Sequence, residues 1–168
     1  MKRIIGVIDS ISEYAGKGVR WLCLAMIFVL CYEVIARYAF NAPTLWAYEV
    51  ACSLGLTIIA LGWSYTHLHL GHIKIDVFYV HFSPRKKALA DVISAITFFL
   101  PLSILWYIAA QRALTSWATG EVLKETFWYP PAAPIKTVFL LGLSFFVLQG
   151  VSNFVKDFYL LIRGKPYD

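Results

Sequence analysis

Four apolar runs, each near the length that crosses a bilayer, constrain the fold of this 168-residue chain most strongly. About 30 Å of hydrocarbon requires roughly 20 helical residues. The runs cover about residues 19–38, 46–66, 88–110 and 137–156. Only 15% of the residues are charged, whereas soluble domains carry about 25%. The sequence therefore predicts an all-α integral membrane protein, with residues 1–168 forming a single domain of four transmembrane helices.

The positions of Lys and Arg predict the orientation of the chain. Basic residues accumulate in the cytoplasmic loops of membrane proteins. All but four of the 15 Lys and Arg residues flank the runs on the side of the two termini. The four on the other side are Arg37, Arg112, Lys124 and Lys136. Both termini are therefore expected in the cytoplasm of a bacterial cell, and the net charge of +5 indicates topology rather than nucleic-acid binding.

The segment before the first run has a helical pattern of its own. Its apolar residues recur three or four positions apart, at Ile4, Ile8, Ile11 and Ala15, with Asp9, Ser12 and Glu13 elsewhere around the helix. This pattern favours an amphipathic helix lying on the membrane surface. The alternative is a frayed tail with an accidental period.

Ionisable residues within the apolar runs are costly and suggest function. Glu33 and Arg37 are four positions apart near the outer end of the first run, so they can pair on one helical face. Glu49 enters the second run on the same side, after the turn "FNAPTLW". One hypothesis is a carboxylate that binds a proton or an ion. The favoured one is a cluster that fixes helix packing or docks a partner, because these positions lie near the interface and a cation accompanies the acids.

The stretch "HLHLGHIKID" begins at His67 and places three histidines within six positions. Zinc ligands need convergent geometry and supporting hydrogen bonds, which a short loop does not supply. No histidine lies deep enough in a run to hold a bilayer-embedded haem. We therefore interpret the stretch as an interfacial turn at Gly71, with no metal and no cofactor expected.

The segment from residue 111 to 134 is the longest expected loop and lies on the periplasmic side. Trp117, Trp128 and Tyr129 are typical of an aromatic belt at a membrane interface. Together with Glu121 they also resemble a docking patch with a polar rim for a periplasmic partner. The sequence leaves both interpretations open.

Sequence motifs for catalysis are missing. The chain has no P-loop, no G-x-G-x-x-G, no nucleophile elbow and no H-E-x-x-H. Its three cysteines, Cys23, Cys31 and Cys52, all fall inside the runs without C-x-x-C spacing. The sequence therefore nominates no catalytic residue and does not predict an enzyme.

The order of these features resembles a known family over nearly the whole chain. The pattern consists of Arg37, then "APTLWAYE" with Trp46 and Glu49, then "ALGWSYTHLHLGHIKID" with Gly71, His72 and Asp76, a basic cluster, and "YPPAAPIK" before the fourth run. It is similar to the small membrane subunit, the DctQ type, of tripartite ATP-independent periplasmic (TRAP) transporters.

The resemblance implies a non-catalytic subunit of a secondary transporter for organic acids, with sodium as the coupling ion. A soluble periplasmic protein would capture the substrate and a large many-span permease would move it, while this chain braces the permease. The matching residues Arg37, Trp46, Glu49, Gly71, His72 and Asp76 would then hold helix ends and subunit contacts. Two alternatives remain: a small proton-coupled multidrug-type transporter using Glu33 or Glu49, and a membrane anchor of a redox complex.

Overall fold

The computed structural model describes residues 2–69 and 82–163, and both ranges are dominated by helix. Helix α1 spans Lys2–Ala39, α2 Ala47–Leu68, α3 Pro84–Thr119 and α4 Ala133–Arg163. Each contains an apolar stretch long enough to cross a membrane. The described residues contain no strand, only an isolated bridge between Val122 and Pro131. The predicted all-α fold with four membrane-spanning helices is therefore confirmed.

Local chemistry explains where α3 begins and ends. Ser83 is extended, with φ −62° and ψ 158°, and Pro84 opens the helix, where its missing N–H removes no helical hydrogen bond. The helix continues through Pro101 and ends at Gly120. Gly120 has φ +61°, a conformation that glycine adopts without the steric cost of a Cβ atom.

The separate N-terminal surface helix is not what the structure shows. Residues 2–39 form one continuous helix of 38 residues, about 57 Å long at a rise of about 1.5 Å per residue. That length is nearly twice the hydrocarbon thickness of about 30 Å. The polar residues before the first run face α4 and α2, as described below, and these contacts within the chain explain why the segment continues α1.

The loop expected at 111–134 is also shorter than the sequence suggested. Residues 111–119 continue α3 and α4 begins at Ala133, so the connection is confined to residues 120–132. Trp117 accordingly lies in the last turn of a helix. The apolar run alone did not mark this end because a helix can extend beyond the hydrocarbon into the polar headgroup region.

Helices α2 and α4 form the centre of the bundle. They pack on each other, α1 packs on both of them, and α3 packs on α4. A core cluster of Leu102, Ala109, Leu143 and Phe146 joins α3 to α4, with Trp63 of α2 packed against it. Only 6% of the apolar window of α1 is buried, compared with 33% of that of α4. Few residues of α1 are fully buried, so much of its apolar surface is available to lipid or another protein.

Gly142 allows α4 to approach α2 closely. A Cβ atom at this position would lie 2.6 Å from both the backbone carbon and the oxygen of Ala60. Ala60 is itself fully buried. Small residues allow helix backbones to approach in this way within membranes, where packing replaces the hydrophobic driving force.

We predict that Gly142→Ala destabilises the bundle although alanine is the better helix former. The added methyl group would meet backbone rather than a movable side chain, and overpacking of this kind costs about 1–3 kcal/mol. Gly62→Ala is the matched control, because nothing lies within 4 Å of its Cβ position. Thermal unfolding in detergent should show a lower Tm for Gly142→Ala and an unchanged or higher Tm for Gly62→Ala. If Gly142→Ala and Gly62→Ala had the same Tm, the close approach of α4 to α2 at Gly142 would be contradicted.

Candidate functional site

Glu33, Arg37 and Glu49 lie around the end of the bundle where α1 finishes and α2 begins. Glu33 is the centre of one cluster. Its Oε1 accepts a hydrogen bond of 2.9 Å from Arg37 Nε, and a second from the terminal guanidinium nitrogen. Its Oε2 accepts from the backbone N of Thr44 at 3.1 Å, and also from the Thr44 hydroxyl. Glu33 thus links the turn that follows α1 to the last turns of α1.

Trp46 reinforces the same turn. Its ring stacks on Tyr32 of α1, with centroids 5.7 Å apart and planes inclined by 26°. Asn41 adopts φ +54° in this turn, a left-handed conformation that asparagine tolerates better than most residues. The stacked rings and the Glu33 contacts together hold the start of α2 against the end of α1.

Glu49 forms a second, separate cluster. It is 3% exposed, and its Oε1 accepts from Thr126 N at 3.0 Å and from the Thr126 hydroxyl at 3.3 Å. Its partner therefore lies in the connection between α3 and α4, while Arg37 is engaged by Glu33. The sequence suggested one charge cluster at this end. The structure instead assigns each carboxylate to a different loop.

The connection 120–132 is a closed hairpin-like loop. Leu123 N donates to Pro130 O and Ala132 N donates to Glu121 O, each at 2.8 Å. The Glu121 carboxylate also pairs with Lys136 of α4. The hydrogen bond from this ammonium group lowers the pKa of Glu121, so the pair stabilises the loop at neutral pH and is lost only as the pH falls below the ordinary glutamate range.

The aromatic residues of the proposed docking patch differ in their contacts. Trp117 Nε1 donates to the Thr137 hydroxyl at 2.9 Å, which ties α3 to α4. Trp128 and Tyr129 lie on the loop and are 47% and 50% exposed. Neighbouring Phe127 is 80% exposed. These rings form an apolar outer surface that suits either a membrane interface or a protein partner.

The histidine stretch is described only in part, because Gly71, His72 and Asp76 lie outside the described residues. His67 belongs to α2, and its ring contacts Phe146 edge-on with centroids 5.3 Å apart. His69 Nε2 lies 2.8 Å from Glu13 Oε2 of α1. Within residues 2–69 and 82–163, no three metal-ligating side chains are grouped closely enough to hold a metal ion.

Sequence reasoning missed a polar network at the opposite end of the bundle. Asp9 of α1 is its centre, accepting from Lys156 Nζ at 2.8 Å, Gln149 Nε2 at 2.9 Å and the Ser152 hydroxyl at 3.1 Å. The hydroxyl of Ser12 donates to Gln149 Oε1 at 2.7 Å. Asp9 and Gln149 are 140 positions apart in sequence. Their contacts hold the N-terminal half of α1 against α4.

A signal for this network was present in the sequence. Gln149, Ser152, Asn153 and Lys156 repeat at helical spacing in the last turns of the fourth run. They form a polar stripe that matches Asp9, Ser12 and Glu13 near the N-terminus. The helical spacing of the polar residues indicates each stripe in the sequence. Only the packing of α1 on α4 shows that the two stripes face each other.

Comparison with protein families identifies the chain. The model of the DctQ component of tripartite ATP-independent periplasmic transporters matches residues 26–159. The chain belongs to this family. The family resemblance expected from the sequence is therefore confirmed, and the chain is a small permease subunit of a TRAP transporter. A search of curated proteins finds no match.

Between the two ends of the DctQ chain, most of the described hydroxyl groups bond within their own helices, while Trp106 Nε1 donates to the Ser144 hydroxyl at 2.8 Å across α3 and α4. The hydroxyls of Thr57, Thr97 and Ser103 donate to backbone carbonyls of their own helices. These hydroxyls therefore need no hydrogen-bond partner from another helix. A transport pathway would instead need polar side chains converging near the bilayer midplane. The described ionisable groups of the two clusters and the Asp9 network are used to hold helices and loops together.

We predict that Glu49→Ala releases the connection 120–132. The substitution removes both hydrogen bonds to Thr126, and a hydrogen bond to a charged group contributes about 1.5–3 kcal/mol. Hydrogen exchange measured by mass spectrometry should therefore show at least about tenfold faster exchange at the Thr126 amide. Glu125→Ala, an exposed change in the same loop, is the control and should leave this exchange unaltered. Unchanged exchange in Glu49→Ala would show that the loop is held by other contacts.

Proposed function

We propose that this DctQ subunit acts as a brace: it holds a large many-span TRAP permease in the membrane and takes no direct part in moving the substrate. The observation that supports this role most strongly is the use of Glu33 and Glu49. Each carboxylate is occupied by a neighbouring loop, Thr44 for Glu33 and Thr126 for Glu49. A proton carrier of the multidrug type would need such a carboxylate to exchange with an open pathway.

The exposed apolar surface supports the same proposal. Large side chains along α1 and α3 face outward from the bundle, among them Trp21, Phe28, Leu100 and Tyr107. Inside a bilayer no hydrophobic force drives such residues into the bundle. They can therefore pack against helices of the permease. We propose that Arg37, Trp46, Gly71, His72 and Asp76 hold the helix ends and turns that border this contact.

The periplasmic solute-binding protein is the second proposed partner. Trp117, Glu121, Trp128 and Tyr129 lie at the outer end of α3 or in the loop 120–132, where a soluble partner would approach. The loop is held by Glu49 and by the pair of Glu121 with Lys136, so its aromatic residues are presented on a fixed backbone. Preorganisation of this kind reduces the entropy lost on docking.

The remaining parts of the proposal concern the cell and the substrate. The chain would lie in the bacterial inner membrane with both termini in the cytoplasm, because most of its basic residues flank the spans on that side. The complete transporter would take up an organic acid with sodium as the coupling ion. These properties belong to the complex and not to the chain on its own.

We predict that Arg37→Gln lowers subunit assembly and transport together. Removing Arg37 leaves Glu33, a partly buried carboxylate, without its cation, and breaking such a pair is destabilising. Co-purification with the large permease and sodium-driven uptake of an organic acid in proteoliposomes should fall by the same factor. Lys86→Gln is the control, because it is an exposed change away from Glu33 and from the loop 120–132, and it should leave both assembly and uptake unchanged.

The same assay can reject the bracing role. If Glu49→Gln gave a fully assembled complex that no longer transports, the carboxylate would be a working group of the pathway. If the chain alone supported proton-driven export from vesicles, the multidrug alternative would replace the proposal.

We predict that Lys86 and Lys124 lie on opposite sides of the membrane, and cysteine labelling in a variant without the native cysteines can test this. Lys86 and Lys124 are both exposed and lie near opposite ends of α3. A membrane-impermeant maleimide added to intact spheroplasts should label Lys124→Cys directly, and Lys86→Cys only after permeabilisation. The reverse pattern would place both termini on the periplasmic side.

A further inference from the structure

Each of the four helices has one longest stretch without charged residues. It covers residues 21–32 in α1, before the pair of Glu33 and Arg37. The corresponding stretches are 50–66 in α2, 92–111 in α3 and 137–155 in α4. Because charged side chains are costly at membrane depth, these stretches indicate where each helix crosses the hydrocarbon.

Contacts between α1 and α2 show how this pair of helices is aligned. A Cβ atom on Gly55 would lie 3.9 Å from the sulfur of Met26, and one on Gly16 would lie against the ring of Tyr65. Arg20 lies between Gly16 and Met26 along α1. At a constant helical rise it is level with about residue 61 of α2. That height is only about 5 Å from the middle of this 22-residue helix.

Contacts between α3 and α4 give the height of Arg112. Trp117 Nε1 donates to the Thr137 hydroxyl at 2.9 Å, and Trp106 Nε1 donates to the Ser144 hydroxyl at 2.8 Å. Arg112 lies midway between the two tryptophans along α3. It is therefore level with about residue 140 of α4.

The close contact of α4 with α2 relates the two arginines to each other. Gly142 lies against the backbone of Ala60, so Arg112 is level with about residue 58 of α2. Arg20 and Arg112 thus lie at similar heights along the bundle. Both are exposed, and they belong to the two helices, α1 and α3, that flank the central pair.

An upright bundle would place both arginines deep in the hydrocarbon. Helix α2 is about 33 Å long, little more than the hydrocarbon thickness of about 30 Å, so its middle would lie near the midplane. A guanidinium group there is roughly 10–15 Å from either interface, which is too far for its side chain to reach the headgroups. Arg112 also interacts with Glu121, but Lys136 pairs with the same carboxylate, so a positive charge remains.

We propose that the bundle lies obliquely in the bilayer, so that the hydrocarbon crosses α1 toward its C-terminal end and α3 toward its N-terminal end. The stretches 21–32 and 92–111 then share the midplane, Arg20 approaches one interface and Arg112 the opposite one. The centres of these stretches are offset by about 17 Å along the bundle, over roughly two interaxial distances of about 8–10 Å. The corresponding tilt is about 40°, the upper end of the range for transmembrane helices.

The oblique position also explains the lengths of α1 and α3. A helix tilted by about 40° needs about 26 residues to cross the hydrocarbon, and these helices have 38 and 36. The N-terminal part of α1 then projects on one side of the membrane. Residues 112–119 and the attached loop 120–132 project on the other. The aromatic side chains of this loop are thereby raised away from the hydrocarbon, toward a soluble partner.

The test compares two depths on α3 in the full chain, reconstituted in phosphatidylcholine vesicles without the native cysteines. Leu100→Cys and Leu114→Cys each carry a nitroxide label, and both residues are exposed. Label depth is measured by electron paramagnetic resonance, from accessibility to oxygen relative to a water-soluble nickel complex. We expect Leu100 near the midplane and Leu114 near an interface. An upright bundle gives the reverse order, and that order would overturn the proposal.

A second pair of labels tests α1 in the same way. Phe28→Cys should be deeper than Trp21→Cys, whereas an upright bundle places Trp21 deeper. Ile59→Cys on α2 is the control, because it lies near the midplane in both arrangements. All of these residues are exposed, so each labelled protein should keep the Tm of the unlabelled chain.

Polarised infrared spectroscopy of aligned bilayers provides a measurement without substitutions. The dichroism of the amide I band should give a mean helix tilt of about 40°, and a mean of about 20° or less would contradict the oblique position. Neither measurement depends on which end of the bundle is cytoplasmic. An upright bundle could still brace the permease, so this inference and the proposed function can fail separately.

Discussion

The absence of water from the bilayer interior determines how this chain is arranged. Each backbone polar group in hydrocarbon must find its partner within the protein, so the spanning segments are helices. Charged side chains are expensive at that depth and therefore lie toward the ends of the helices. The clusters of Glu33 and Glu49 at one end, and the Asp9 network at the other, follow from this constraint. Between them the helices meet through small and apolar residues.

The polar clusters at the two ends share a physical task. At the end where α1 finishes, Glu33 and Glu49 each accept hydrogen bonds from a loop, and each loop connects two helices. At the other end, Asp9 accepts hydrogen bonds directly from α4. The apolar middle of the bundle supplies little directional preference, because lipid is as apolar as the side chains. Polar contacts at both ends therefore fix how the helices are aligned.

This arrangement is consistent with the proposed bracing role. Among the described residues, Glu33, Glu49 and Asp9 are engaged with loops and helices of the chain itself, and the bundle presents long apolar faces. The loop 120–132 adds an exposed aromatic surface. In the proposed orientation this loop reaches toward the periplasm.

The sequence by itself determined the membrane class, the four helices and the family. Apolar runs near 20 residues and ordered motifs are local properties, readable without knowing any contact. The pairing of Glu33 with Arg37 was also accessible, because residues four apart share a helical face. Helix ends were less accessible, since α1 and α3 extend beyond their apolar runs into regions where polar residues are tolerated.

Only the tertiary structure decided which distant groups meet. Glu49 is 77 positions from Thr126, and Asp9 is 147 positions from Lys156, so no helical period relates either pair. The close contact of Gly142 with Ala60 likewise depends on how α2 crosses α4. Periodicity shows which face of a helix is polar or small. It does not show which helix lies opposite, because that choice is made by the packing of the whole bundle.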